Sequence, residues 1–239
     1  MLKPNRGLCF AAAAAAAIVA PLAACSDVER ANDPLAGRLS WFALLEGRDI
    51  RAACVPGAPA RYRFVYNGTY DEQTRVYDVV RTQTGATFNV SVSTGAATVV
   101  EYRGAAQNPW NPVRDSSAPV DLETYRALAR ALEADGFGQP PRTDIAFPSW
   151  NYYWVVAACA DGKYHLNGWL NGARDGKTAF DALTFPALLG KLDQTEIAFA
   201  NPRPNPFGEY RQRHASQTPD RNFEIRLTPT GLSLSRPLF

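Results

Sequence analysis

Alternation of apolar and polar residues marks the chain first as a sheet former. In "ARYRFVYNG", Tyr62, Phe64 and Tyr66 fall on one side of a strand, with Arg61 and Arg63 on the other. Asn67-Gly68 is a turn signal, but "TYDEQT" after it makes a poor strand, so a longer loop leads to a strand at residues 75–82. "TFNVSVS" turns Phe88, Val90 and Val92 inward and Thr87, Asn89 and Ser91 outward, and Thr94-Gly95 leads into "ATVVEYR". These segments predict a four-stranded antiparallel meander with one wet face. A further hairpin is written in "NYYWVVAACADGKYHLNGWL", where Asp161-Gly162 suits a two-residue turn with positive φ at both positions. Counting back pairs Cys159 with Tyr164, Ala157 with Leu166 and Trp154 with Trp169.

Helical spacing appears in "DLETYRALARALEADG". Asp121 suits the N-cap, Leu122, Tyr125, Leu128, Ala129 and Leu132 make one apolar stripe, and Gly136 suits the stop. Pro186 suits the first turn of a short helix through Leu192. Residues 39–45 fit a short helix or a first strand, and residues 104–120 and 200–222 have loop composition. "FEIRLTPTGLSLS" predicts a closing hairpin around Pro229-Thr230-Gly231. The expected fold is α+β: one domain over residues 39–239, an antiparallel sheet of meander and hairpins faced by two short helices.

The start of the chain follows a different rule. Lys3 and Arg6 precede a short apolar run from Leu8 to Ala24, broken only at Pro21, which is the layout of a secretory signal peptide over residues 1–24. Leu22-Ala23-Ala24-Cys25 resembles the lipobox of bacterial lipoproteins. That resemblance implies cleavage before Cys25, diacylglycerol on its thiol and acylation of the new amino group. Each buried methylene contributes about 0.8 kcal/mol, and one acyl chain alone binds only marginally, so two or three would hold the protein firmly. A soluble secreted protein is the alternative. By resemblance to enterobacterial sorting, Ser26 after the cysteine directs the protein to the outer membrane, facing the periplasm. Residues 25–38 then read as lipidated cysteine and tether.

Composition sharpens this picture. The 239 residues carry net charge +2, from 25 basic and 23 acidic side chains, and the excess is Lys3 and Arg6. A mature chain in balance has no general attraction for nucleic acid, and no nucleic-acid partner is expected. Of four cysteines, Cys9 lies in the signal and Cys25 takes the lipid, leaving Cys54 and Cys159 to pair in an oxidising compartment or to stay as buried thiols. Closing so long a loop would contribute about 4.7 kcal/mol on the chain-entropy argument.

Chemical motifs are sparse. No serine sits in a Gly-x-Ser-x-Gly elbow, His165 and His214 lie far apart, and there is no calcium or phosphate loop. No catalytic residue, metal or cofactor is assigned, although a carboxylate pair needs no local spacing. Two candidate surfaces remain. Trp154, His165, Asn167 and Trp169 share one face of the second hairpin and could stack on a sugar or grip a peptide, unless the 180–192 segment or a long loop covers them. Arg203, Arg211 and Arg213 could meet anionic head groups, unless they are a solvated loop. The expected function is a non-catalytic binding or scaffolding module of the cell envelope, tied to the membrane by its lipid, with an envelope protein or a glycan as partner. A periplasmic enzyme acting on cell-wall or glycan material is the alternative.

Overall fold

The computed structural model describes residues 41–70, 72–94, 114–172, 180–213, 223–229 and 231–234. Its centre is a six-stranded sheet, antiparallel throughout, built from β1 (Arg61–Gly68), β2 (Gln73–Arg81), β3 (Gly85–Thr94), β4 (Arg114–Asp121), β6 (Tyr152–Ala160) and β7 (Lys163–Leu170). The order across it is β4-β3-β2-β1-β6-β7. A smaller sheet joins β5 (Ala146–Pro148), β8 (Glu224–Thr228) and β9 (Gly231–Leu234) in the order β5-β8-β9. With the helices this is the α+β class expected.

The second hairpin has the counted register. Cys159 faces Tyr164, Ala157 faces Leu166 and Trp154 faces Trp169. Asp161 and Gly162 turn the chain at φ 51° and 70°. Gly162 is needed twice over, because a Cβ there would lie 2.7 Å from the Pro56 nitrogen. The closing hairpin around Pro229 also forms, with Thr228 opposite Gly231.

The meander needs correction. β2 starts at Gln73, two residues earlier than expected, after a tight 69–72 connection with Thr69 at φ 57°. The strand beside β3 is Arg114–Asp121, from within the stretch assigned to loop, pairing Ser91 with Asp115 and Phe88 with Ala118. An edge strand needs one bonded side and one apolar row, so Ser116, Ala118 and Val120 suffice half-buried, and an edge tolerates Pro119. The predicted strand at 97–103 lies outside the described residues. Nor is one face wet throughout. β1 and β6 are buried on both faces, and the alternation survives only in β2, β3 and β4.

Helices cover one face. α2 (Leu122–Ala134) begins on Asp121, whose carboxylate accepts the Thr124 amide at 2.8 Å, and ends at Gly136 with φ 89°. α3 (Phe185–Leu192) carries Pro186 in its first turn and buries Phe185 and Leu189. Asp135 joins the two helices, accepting the Thr184 and Phe185 amides at 2.7 and 2.9 Å and so capping α3 from outside it. Leu128, Leu132, Phe185 and Leu189 pack on Phe64, Tyr77 and Trp154 of the sheet.

The opposite face carries a second core. Helical residues 41–46, α1 (Arg48–Ala53) and the small sheet lay Trp41, Leu45, Ile50, Phe147 and Ile225 on Val65, Tyr153, Val155 and Ala157. The domain therefore has three layers, with more helices than the two expected. One of these, α4 (Pro206–Arg213), occupies the stretch read as loop. Asn205 accepts the Gly208 amide at 3.0 Å, and Pro206 opens the helix. Cys54 and Cys159 are bonded, with Cα atoms 5.6 Å apart, tying the end of α1 to β6.

Candidate functional site

The aromatic row of the second hairpin is interior. Trp154 is 2% exposed, its ring centroid 4.8 Å from Tyr66 and 5.3 Å from Phe185. Trp169 is buried too, and its Nε1 donates to the Asp135 carbonyl at 3.0 Å. Asn167 donates to the carbonyls of Gly136, Phe137 and Gln139, and half-buried His165 stands edge-on to Phe137 at 4.8 Å. Trp169, Asn167 and His165 hold the α2 exit turn against the sheet, and Phe185 of α3 packs on both tryptophans. As a ligand-binding face they are withdrawn: the covered alternative, with the 180–192 segment on top, is what forms. The physical reason is area, since large rings bury more apolar surface than any other side chains.

The arginines divide. Arg203 is held by Glu72 and, through Nε at 2.8 Å, by Glu209, so it ties the 69–72 turn to α4. Arg211 is exposed, its guanidinium 5.9 Å from the Phe207 ring centroid. The side chain of Arg213 and all of His214 lie outside the described residues.

Two other arginine clusters were not singled out by sequence reasoning. Arg75, fully buried, reaches Asp193 at 2.6 Å, Gln73 at 2.9 Å and the Ile197 carbonyl, under the Phe199 ring at 4.1 Å. Tyr77 donates to the same Asp193 oxygen at 2.9 Å. Burial would raise the Asp193 carboxyl, but hydrogen bonds from Thr195 and Tyr77 and the charge of Arg75 outweigh it and bring it below the usual range. On the other face, Arg63 grips Asp49 at 2.6 and 2.8 Å and Asp78 at 2.7 Å, with Arg61 bridging the same two acids. Burial pushes Asp49 up, yet the hydrogen bonds and charge of Arg63, with Arg61 behind them, carry it down to about 2. Every charge here is matched. The clusters fasten the 193–200 segment and α1 to the sheet. Arginine alternating with apolar residues reads as a wet face in sequence, and only the facing acids, 118 residues away for Asp193, reveal otherwise.

A groove of about 580 Å³ lies over the β2–β4 half of the sheet. Its floor is the outward row of the pleat, where Thr74 faces Ser93, Ser91 faces Asp115 and Asn89 faces Ser117. The Ser117 hydroxyl donates to Asn89 Oδ1 at 2.7 Å. Half-buried Leu44 and Val76 add apolar surface at its side, with the fully buried Trp41 behind them. Such a surface offers neutral donors and acceptors beside apolar area, with one carboxylate, Asp115, among its described lining. It suits orientation and hydrogen bonding of a polar ligand. Asn89 and Ser91 were read correctly as outward, but β4 and the Leu44 side were missing from the sequence picture. Among the described residues no three His, Cys, Asp or Glu side chains converge as a metal site, and no helix is long and apolar enough to cross a membrane.

Comparison with protein-family models, with curated proteins and with solved structures gave no match to this chain.

Proposed function

We propose that this chain is a bacterial lipoprotein, anchored through an acylated Cys25 to the outer membrane on its periplasmic side, and that its domain is a non-catalytic module binding a glycan of the envelope in the β2–β4 groove. The observation that carries the placement is the Leu22-Ala23-Ala24-Cys25 junction behind a basic and apolar start. The Cys54–Cys159 bond agrees with an oxidising compartment. The groove supports the binding reading through its hydroxyl and amide groups, which can exchange hydrogen bonds with a hydroxyl-rich ligand. Tethering confines the domain near the membrane, so a weak contact suffices. Glycan hydrolysis by a carboxylate pair would need a partner for Asp115, and among the described residues Asp78, which faces Asn89, is already bound by Arg61 and Arg63.

The test is made in cells fed labelled palmitate, followed by incubation of the purified lipidated protein with cell-wall fragments. Label on the wild type, none on Cys25→Ala, and retention of uncut fragments are the expected results. An unlabelled wild type would remove the anchor. Shortened fragments would convert the module into an enzyme, and capture of an envelope protein without glycan would change its ligand.

A further inference from the structure

The end of the domain around Tyr70, Ser149 and α4 carries an aromatic and cationic patch that the groove does not use. Gly68 at the end of β1 faces Tyr152 at the start of β6, and the loops beyond them meet where the Tyr70 amide donates to the Ser149 carbonyl at 2.8 Å. Trp150 follows Ser149 and packs on Phe207 of α4 with ring centroids 4.8 Å apart. Phe207 is 41% exposed, one of three large apolar side chains left open among the described residues. Arg211 stands one helical turn on, exposed, while Glu209 between them is paired with Arg203.

Trp41, where the described chain begins, lies 5.6 Å ring to ring from Tyr70. Cys25 stands sixteen residues before it. Even fully extended, that length reaches only about 55 Å, so an acylated Cys25 confines the domain to the neighbourhood of the bilayer, and the chemistry of its surface decides which face settles there.

We infer that Trp150, Phe207 and Arg211 form a docking surface for the anionic phospholipid bilayer to which the chain is tethered, seating the domain at the membrane with the 149–151 loop facing the lipid. The inference rests on the lipid anchor proposed above. Its chemistry is that of interfacial side chains. An indole and a phenyl ring settle at the head-group boundary, and a guanidinium beside them pairs with phosphate. A single exposed phenylalanine is weak in free solution, but the tether makes the encounter intramolecular. Arg203, locked to Glu72 and Glu209, positions α4 and does not meet lipid itself.

The experiment uses the full-length protein produced in cells fed labelled palmitate, so that the label records the anchor independently. The purified protein is reconstituted into vesicles of phosphatidylethanolamine and phosphatidylglycerol with brominated acyl chains, and tryptophan quenching reports docking. Quenching is expected in the wild type and is expected to fall in Trp150→Phe, which assigns the reporter. Phe207→Ser should lower the docked-to-free ratio about tenfold, the scale set by exposing one buried phenyl ring. Arg211→Glu should lower it in phosphatidylglycerol vesicles and leave it unchanged in phosphatidylcholine ones. Near-ultraviolet circular dichroism confirms that each variant keeps its fold. Labelled protein whose tryptophans are not quenched, or whose quenching ignores both Phe207→Ser and Arg211→Glu, overturns the docking surface while leaving the anchor standing. Unlabelled protein overturns the anchor and the docking surface with it.

Discussion

The two halves of the main sheet use the same pleat for opposite ends. In β1 and β6 nearly every position is buried, on one face under α2 and α3, on the other under α1, residues 41–46 and the small sheet. In β3 and β4 only the helix face is filled, and the other turns Asn89, Ser91 and Ser117 toward the groove. Coverage on both sides lets β6 read "YYWVVAACA", almost without a polar residue. Coverage on one side forces strict alternation in β3. The difference teaches where function has room. A strand buried twice can only hold the fold, and a strand buried once can also present a surface.

Trp154 is the sharpest test of the buried half. It lies between Tyr66, Tyr77 and Phe185, joining three strands to α3. Trp154→Ala should cost about 3–5 kcal/mol, the range for deleting a large ring from a close-packed core. Urea unfolding followed by circular dichroism measures it. A stable, folded Trp154→Ala would mean that the ring is not packed as described, and would reopen the aromatic row as a binding face.

Legibility in the sequence followed the same division. The 152–170 hairpin could be read to the residue pair, because Asp161-Gly162 admits one tight turn and every pairing is counted from it. The α2 cap at Asp121 was equally local. β4 was not legible, since "RDSSAPVD" has neither apolar weight nor β propensity and is a strand only because β3 offers it an edge. Nor was α4, although Asn205-Pro206 supplied a cap and a first-turn proline that composition obscured. The burial of Arg63 and Arg75 depends on partners far along the chain, and periodicity carries no information about those. The groove combined both difficulties: half its floor was readable, and its apolar side and far strand were not.

The ion pairs that fasten α1 to the sheet should respond to acid. Asp49 titrates at about 2 in the folded protein, below its ordinary 3.8. A carboxyl depressed by folding contributes stability that is complete above the unfolded value, so this contribution is lost as pH falls from about 4 to about 2. The side chain is half exposed, which screens the pair and keeps the effect modest. Thermal unfolding of the wild type should therefore drop more steeply across that window than that of Asp49→Asn, and the two should run parallel at neutral pH. Parallel curves throughout would show that Arg63 holds Asp78 alone. Asp193, also depressed, contributes to both proteins and cancels in the difference.

The smallest effect on stability belongs to the open half, and its smallness is what makes it informative. Ser91 faces Val76 on one side and Asp115 on the other, in the middle of the groove floor. Its hydroxyl fills no core, so Ser91→Ala should change stability by no more than about 0.5 kcal/mol. Retention of cell-wall fragments should nevertheless fall several-fold, because a ligand hydroxyl that had paired with Ser91 would lose its partner. A substitution that leaves the urea midpoint in place while weakening capture separates surface from scaffold within a single sheet. If Ser91→Ala and Asn89→Ala both leave capture untouched, the alternation of β3 is only the wet side of a strand, and the ligand must be sought elsewhere on the domain.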